Sequence, residues 1–157
     1  MKKPAPTAPS CDWRAGAREP GARKSAPRSR IVRGGAEGGW GGIRTERYKQ
    51  PDGSWASVIR RTIVGGLKGE RTKFHLRYFE VAPGGNTSFE CHEHEHVVVA
   101  VRGSGVCRIK NTRHALNPMD VAYIAPGAAH QLLNPNDEPF GFLCIVDAER
   151  DSPVPVK

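Results

Sequence analysis

Three of the chain's six histidines fall within five residues, in Glu90-Cys91-His92-Glu93-His94-Glu95-His96. Imidazoles beside a carboxylate suit a borderline transition metal such as Mn, Fe, Ni, Cu or Zn. A second stretch, Ala125-Pro126-Gly127-Ala128-Ala129-His130, supplies a further imidazole. Three arrangements compete for the first stretch. It could be a solvated turn of alternating charge. It also satisfies the His-Glu-x-x-His pattern, which binds zinc when a helix sets both histidines one turn apart on one face. Against the helix, the run flows into Val97-Val98-Val99-Ala100-Val101 and stops at Gly103-Ser104-Gly105. Valine favours strands, and the run is too short before its glycine turn for a core helix. The third arrangement, a strand-borne metal site, fits best. Residues two apart on a strand share a face, so Glu90 and His92 project together. A turn through Glu93-His94-Glu95 then opens a second strand at His96, with Val98 and Ala100 on the same inner face.

These residues need a scaffold, and the sequence offers short strands. Ile43 to Tyr48 reads as an edge strand, and Pro51-Asp52-Gly53-Ser54 as a turn. Ser57 to Val64 and Phe74 to Val81 read as strands around the Gly65–Gly69 loop, and Pro83-Gly84-Gly85-Asn86 as a turn into the metal strand. Val106 to Ile109, Ala115-Leu116, Val121 to Ile124, Gln131 to Leu133 and Phe140 to Val146 add further strands. Asn117-Pro118 and Asn134-Pro135-Asn136-Asp137 mark turns between them. No apolar helical period is sustained. Short strands with regular turns predict an all-β sandwich or barrel.

The histidine stretch resembles the first motif of the cupins, G-x5-H-x-H-x3-E-x6-G. Gly84, Glu90, His92, His96 and Gly103 stand at its five fixed positions, with Glu90 in place of the first His and His96 in place of Glu. The second motif, G-x5-P-x-G-x2-H-x3-N, is matched by Gly127, His130 and Asn134, while Met119 replaces its Gly and Ala125 its Pro. The resemblance runs strongly from Phe79 to Val146. It implies a cupin jelly-roll β-barrel, the double-stranded β-helix, with one divalent transition metal inside, Mn or Fe favoured. Glu90, His92, His96 and His130 would be its ligands. It also implies a small-molecule substrate and a homo-oligomer, a dimer. Within the family the chain is similar to bacterial members that remove a methylthio group from methylthioxylulose 5-phosphate using a metal and a thiol, with glutathione as acceptor. That similarity rests on the metal stretch, the adjacent Cys91 and the segment Phe140 to Arg150.

Other polar residues have plainer readings. His94 lies in the expected turn and is expected in solvent. His114, beside Asn111-Thr112-Arg113, reads as a surface hairpin residue. Tyr123 is expected in the core. His75 and Arg77 share parity and could bind an anionic substrate if their face looks into the barrel. The cysteines, Cys11, Cys91, Cys107 and Cys144, show no C-x2-C spacing, and no secretory signal is recognisable, so reduced thiols in a cytoplasm are expected. Cys144, in Phe142-Leu143-Cys144-Ile145-Val146, reads as a buried small hydrophobe. Cys91 and Cys107 are the candidate catalytic thiols: Cys91 by proximity, against its strand parity, and Cys107 by lying on the strand after the glycine turn.

The net charge of +8 is uneven. Residues 1–35 hold nine Lys/Arg against two Asp/Glu, and the remainder holds fifteen against fourteen. The excess belongs to the N-terminal stretch, not the barrel, which argues against nucleic acid as a partner. Residues 1–39, rich in Pro, Ala, Arg, Ser and Gly, read as a disordered basic tail. Residues 40–150 read as the barrel domain and 151–157 as a short C-terminal tail. No apolar stretch approaches a membrane span, so no membrane is expected. Two function classes remain: a metalloenzyme on a small oxygenated molecule, whether thiol transferase, dioxygenase or isomerase, and a non-catalytic binding or sensing barrel.

Overall fold

A computed structural model of the chain describes residues 29–35, 39–48 and 56–156. The greater part of the expected basic tail, with Cys11 in it, and the Pro51–Ser54 turn lie outside the described residues. Within them the fold is all-β, without a helix. The strands are β1 (Glu46–Tyr48), β2 (Ala56–Val64), β3 (Phe74–Asn86), β4 (Glu90–Cys91), β5 (His96–Arg102), β6 (Gly105–Ile109), β7 (Thr112–Leu116), β8 (Val121–Ile124), β9 (His130–Leu133), β10 (Phe140–Asp147) and β11 (Val154–Pro155). They form one curled antiparallel sheet running β11-β4-β9-β3-β10-β5-β8, with β1 and β2 beside β3, and β6 and β7 beside β9. This is the jelly-roll barrel.

Strand alternation and register build the barrel wall in rungs, because residues directly opposite each other point to the same face. Val81 sits opposite Phe140, and Phe79 opposite Phe142, which faces Ala100. The next rung is Arg77, Cys144 and Val98, and the last is His75, Val146, His96 and Ile124. The wall changes character along β10, from phenylalanine at one end to histidine and arginine at the other. Its apolar end is close-packed: Phe79 stacks on Phe142 at 5.5 Å between centroids, and Phe140 tilts against Phe142 at 5.3 Å. A methyl group at Gly105 would lie only 2.2 Å from the Phe140 ring, so only glycine fits there.

Two sequence expectations change. The Pro83–Asn86 turn is absorbed into β3. Gly84, at φ +70°, bends the strand, whose ladder continues onto the β9 side through Gly84 N–H to the Asn134 carbonyl at 2.9 Å and Asn134 N–H to the Gly85 carbonyl at 3.0 Å. Tyr123 is 58% exposed rather than core, because it lies on the outer face of β8 at the end of the sheet path, where its hydroxyl donates to Glu95 at 2.7 Å. Residues outside the 40–150 stretch also touch the barrel. Arg30 pairs with Glu70 and donates to the Ile63 carbonyl at 2.7 Å, and Trp40 covers Tyr78 edge-on at 4.7 Å. At the other end, Val154–Pro155 form β11 and pair with β4.

Candidate metal centre

Three short elements position the cluster. β4 sets Glu90 directly opposite His130 of β9, so both look into the barrel. His96 opens β5 on its inner face. His92 and His94 stand on the bend between β4 and β5. All five are buried. The rings crowd together, His92 on His94 at 3.7 Å between centroids, and His96 and His130 at 4.4 and 4.9 Å from His92. Ligand atoms of His92, His94 and His96 lie within 4.8 Å of one another, and so do those of Glu90, His92 and His130. His92 belongs to both groups.

Hydrogen bonds assign the tautomers. His92 Nδ1–H donates to the His94 carbonyl at 2.6 Å, His130 Nδ1–H to the Ala128 carbonyl at 2.9 Å, and His94 Nδ1–H to the Asp151 carboxylate at 2.6 Å. His96 Nδ1 faces Cys144 Sγ at 3.9 Å. The Nε2 of His92, His94 and His130 is then a lone pair when the ring is neutral. Burial keeps it neutral: desolvation lowers all four imidazole pKa values, that of His92 to about 4, and the neighbouring imidazoles press it further down. Two observations fit this donor set to a cation. His94 Nε2 and His96 Nε2 converge to 3.1 Å, so that both nitrogens are within reach of one ion. His92 Nε2 is buried without a hydrogen-bond partner, which is rare for a polar atom with no further role. Glu90, to which Ser88 donates a short hydrogen bond, supplies the carboxylate.

A cavity of about 30 Å³ adjoins the cluster, lined by Glu90, His96 and His130, by Arg77 and Cys144, and by apolar side chains that include Phe79 and Phe142. It has room for an ion and a water or two, but not for a sugar phosphate. Arg77 is 1% exposed and donates to Cys144 Sγ at 3.3 Å. The face carrying Arg77 and His75 does look into the barrel. His75 sits nearer the surface, 3.2 Å from Arg150, and its pKa is lowered by burial and then by that guanidinium.

Glu90, His92, His96 and His130 therefore come together as expected. The expectation for His94 is corrected. It is 6% exposed and part of the cluster, because Asp151 draws its ring inward. Neither candidate thiol reaches the cavity. Cys91 alternates with Glu90 and pairs with Val154 on the opposite face. Cys107 is wholly buried in the apolar core, where desolvation pushes its pKa up to about 11, the reverse of what a nucleophilic thiol needs. The thiol on the cavity wall is Cys144. Its parity with Phe140, Phe142 and Val146 was a usable signal. Asp151, fifty-seven residues from His94, left none.

A curled antiparallel jelly roll enclosing a buried imidazole–carboxylate cluster defines a class of proteins, the cupins. The chain belongs to the cupin family. The family's cupin domain matches residues 77–146. A curated relative, 1-methylthio-D-xylulose 5-phosphate methylsulfurylase of Rhodospirillum rubrum, is 39% identical over 117 residues, covering 73% of this chain and 72% of that protein. The crystal structure of a cupin-2 domain protein from Rhodospirillum rubrum superposes with a TM-score of 0.70 at 34% identity, over 86% of this chain and 85% of that one. A cupin 2 conserved barrel protein from Rhodopseudomonas palustris superposes at 0.75 and 31% identity, over 82% and 87%.

Proposed function

We propose that the protein is a metal-dependent enzyme that removes a methylthio group from a ketose phosphate of the methylthioxylulose type and passes it to an external thiol such as glutathione. The carrying observation is Cys144 Sγ on the cavity wall, beside His96 and 3.3 Å from the Arg77 guanidinium. The relative's activity supports the choice of substrate. A divalent ion, Mn or Fe favoured, held by Glu90, His130 and the His92, His94 and His96 imidazoles, would polarise the substrate carbonyl.

The chain's own residues account for the rest. Arg77 donates to Cys144 Sγ at 3.3 Å and orients the sulfur. Cys144 Sγ gives up its proton and attacks the methylthio sulfur. The carbon–sulfur bond breaks, and its electron pair passes to carbon as the enolate of the 1-deoxy ketose, which takes up a proton. Cys144 is left as a methyl mixed disulfide. A glutathione thiolate then displaces it, regenerating Cys144 and releasing methylthio-glutathione disulfide. No further oxidant or reductant is required.

The test is direct. Protein purified without chelator is assayed for metal content, then given methylthioxylulose 5-phosphate with and without glutathione, and the mixed disulfide is measured by mass spectrometry. Wild type should turn over only with thiol. Cys144→Ser should keep the metal and lose turnover. Full activity in Cys144→Ser, or turnover independent of thiol, would leave an isomerase or dioxygenase as the better reading. Binding of the substrate without turnover would leave a binding barrel.

A further inference from the structure

The bend that carries His92 and His94 has no strand ladder of its own; β4 ends at Cys91 and β5 begins at His96. A carboxylate takes the ladder's place, beside one backbone bond from Gly127 N–H to the His92 carbonyl at 2.7 Å. Asp151 Oδ2 accepts the Glu93 N–H at 2.8 Å, and Asp151 Oδ1 accepts the His94 N–H at 3.0 Å and the His94 Nδ1–H at 2.6 Å. The chain then runs on as a strap. Val154 and Pro155 pair with Cys91 and Glu90, and Val156 N–H donates to the Phe89 carbonyl at 2.9 Å. Asp151 is thus held by the strand on which the cluster begins.

Its reach extends past His94. By holding the His94 N–H and ring together it limits how far His94 can turn, and the His94 carbonyl, on the next peptide unit, is the acceptor for His92 Nδ1–H. One carboxylate orients two imidazoles, one directly and one through the backbone. We propose that Asp151 is a positioning residue of the histidine cluster, fixing tautomer and ring plane of His94 and, through the His94 carbonyl, of His92. The segment 151–156 is then a working part of the site. Carboxylates hydrogen-bonded behind metal-binding imidazoles act in this way generally, by fixing the tautomer and raising ligand basicity. The inference rests on the metal-centre reading but not on the proposed reaction.

The experiment titrates the full-length protein with Co2+, following both affinity and the visible absorption of the bound ion, alongside the melting temperature of the metal-free form. Wild type should take up one Co2+. Asp151→Ala should weaken uptake by about 10–100-fold and alter the Co2+ spectrum. Asp151→Asn, which keeps one acceptor oxygen, should recover part of the loss and carries the test if the alanine variant does not fold. In a His94→Ala background, Asp151→Ala should weaken uptake by a much smaller factor than it does alone. Failure of wild type to bind Co2+ would overturn the metal centre and this role with it. Wild-type binding matched by both Asp151 variants, with an unchanged spectrum, would overturn the role of Asp151 alone, even if the melting temperature fell.

Discussion

The two ends of the barrel wall are built from the same strands and are equally buried, yet they are held by different forces. At one end Val81, Phe79, Phe140 and Phe142 fill the interior with apolar side chains. At the other, two rungs along β10, Arg77 and Cys144 stand beside His96 and the rest of the cluster. Burial at the first end stabilises the fold, by about 25 cal/mol per Å² of apolar surface removed from water. Burial at the second strips water from imidazoles, a carboxylate and a guanidinium, and the hydrogen bonds there only recover part of that loss. The polar end is thus fitted to a ligand at some expense to stability. Substitutions at the two ends should separate stability from metal binding.

The largest effect is expected at the apolar end. Phe140 is wholly buried, touches Phe142 and fills the space above Gly105. Phe140→Ala should lower stability in urea unfolding by about 3–5 kcal/mol. Whatever fraction remains folded should still take up metal in the wild-type ratio. Loss of metal from folded Phe140→Ala protein would break the separation of the two ends.

A smaller effect of opposite sign is expected at the polar end. In the metal-free protein burial holds the His96 pKa well below its ordinary value, and the ring's polar contacts are His94 Nε2 at 3.1 Å and, at a long 3.9 Å, Cys144 Sγ. His96→Leu should therefore raise metal-free stability by about 1 kcal/mol, in the manner of substitutions that relieve a strained functional site. The same variant should lose the stabilisation that added metal gives wild type, about 2.7 kcal/mol at a hundredfold excess over the dissociation constant. Thermal unfolding with and without Mn2+ reads both. A metal-free variant less stable than wild type would mean that the polar end contributes to the fold after all.

The same contrast explains what was legible in the sequence. Glu90, His96 and His130 are carried by strands, and the two cupin motifs supplied the spacing between strands that parity alone cannot. His94 was misplaced because alternation stops at a bend. There the side chain's direction is set by a partner distant in sequence, and a lone aspartate in a presumed tail carries no periodic signal. Tyr123 was misplaced for a related reason: an aromatic residue on a strand predicts burial only if that face is covered, and β8 ends the sheet path. Cys144 was the avoidable miss. Its inward parity was plain from Phe142 and Val146, but a cysteine in an apolar run looks the same whether the next rung is core or cavity.

The three described cysteines, all free thiols, sharpen this last point. Each occupies a different setting: Cys91 half-buried on the outer face of β4, Cys144 on the cavity wall, Cys107 in the apolar core. Brief treatment of the native protein with iodoacetamide at neutral pH, followed by peptide mass spectrometry, should modify Cys91 first, Cys144 more slowly and Cys107 only after unfolding. Metal loading should slow Cys144 further and leave Cys91 unchanged. At neutral pH Cys107 places no pH dependence on stability, because its thiol is protonated whether folded or unfolded. The sign appears in alkali. The unfolded thiol loses its proton near its ordinary value of 9.0, whereas the buried thiol keeps it until about 11. In that window the folded state binds the extra proton, so raising the pH favours unfolding. Stability should fall between about pH 9 and 11, and Cys107→Ala should remove part of that fall while Cys91→Ala leaves it intact. Rapid labelling of Cys107 in the native protein, or an alkaline profile unchanged by Cys107→Ala, would return Cys107 to the candidates for the reactive thiol and undo the division between core and cavity drawn along β10.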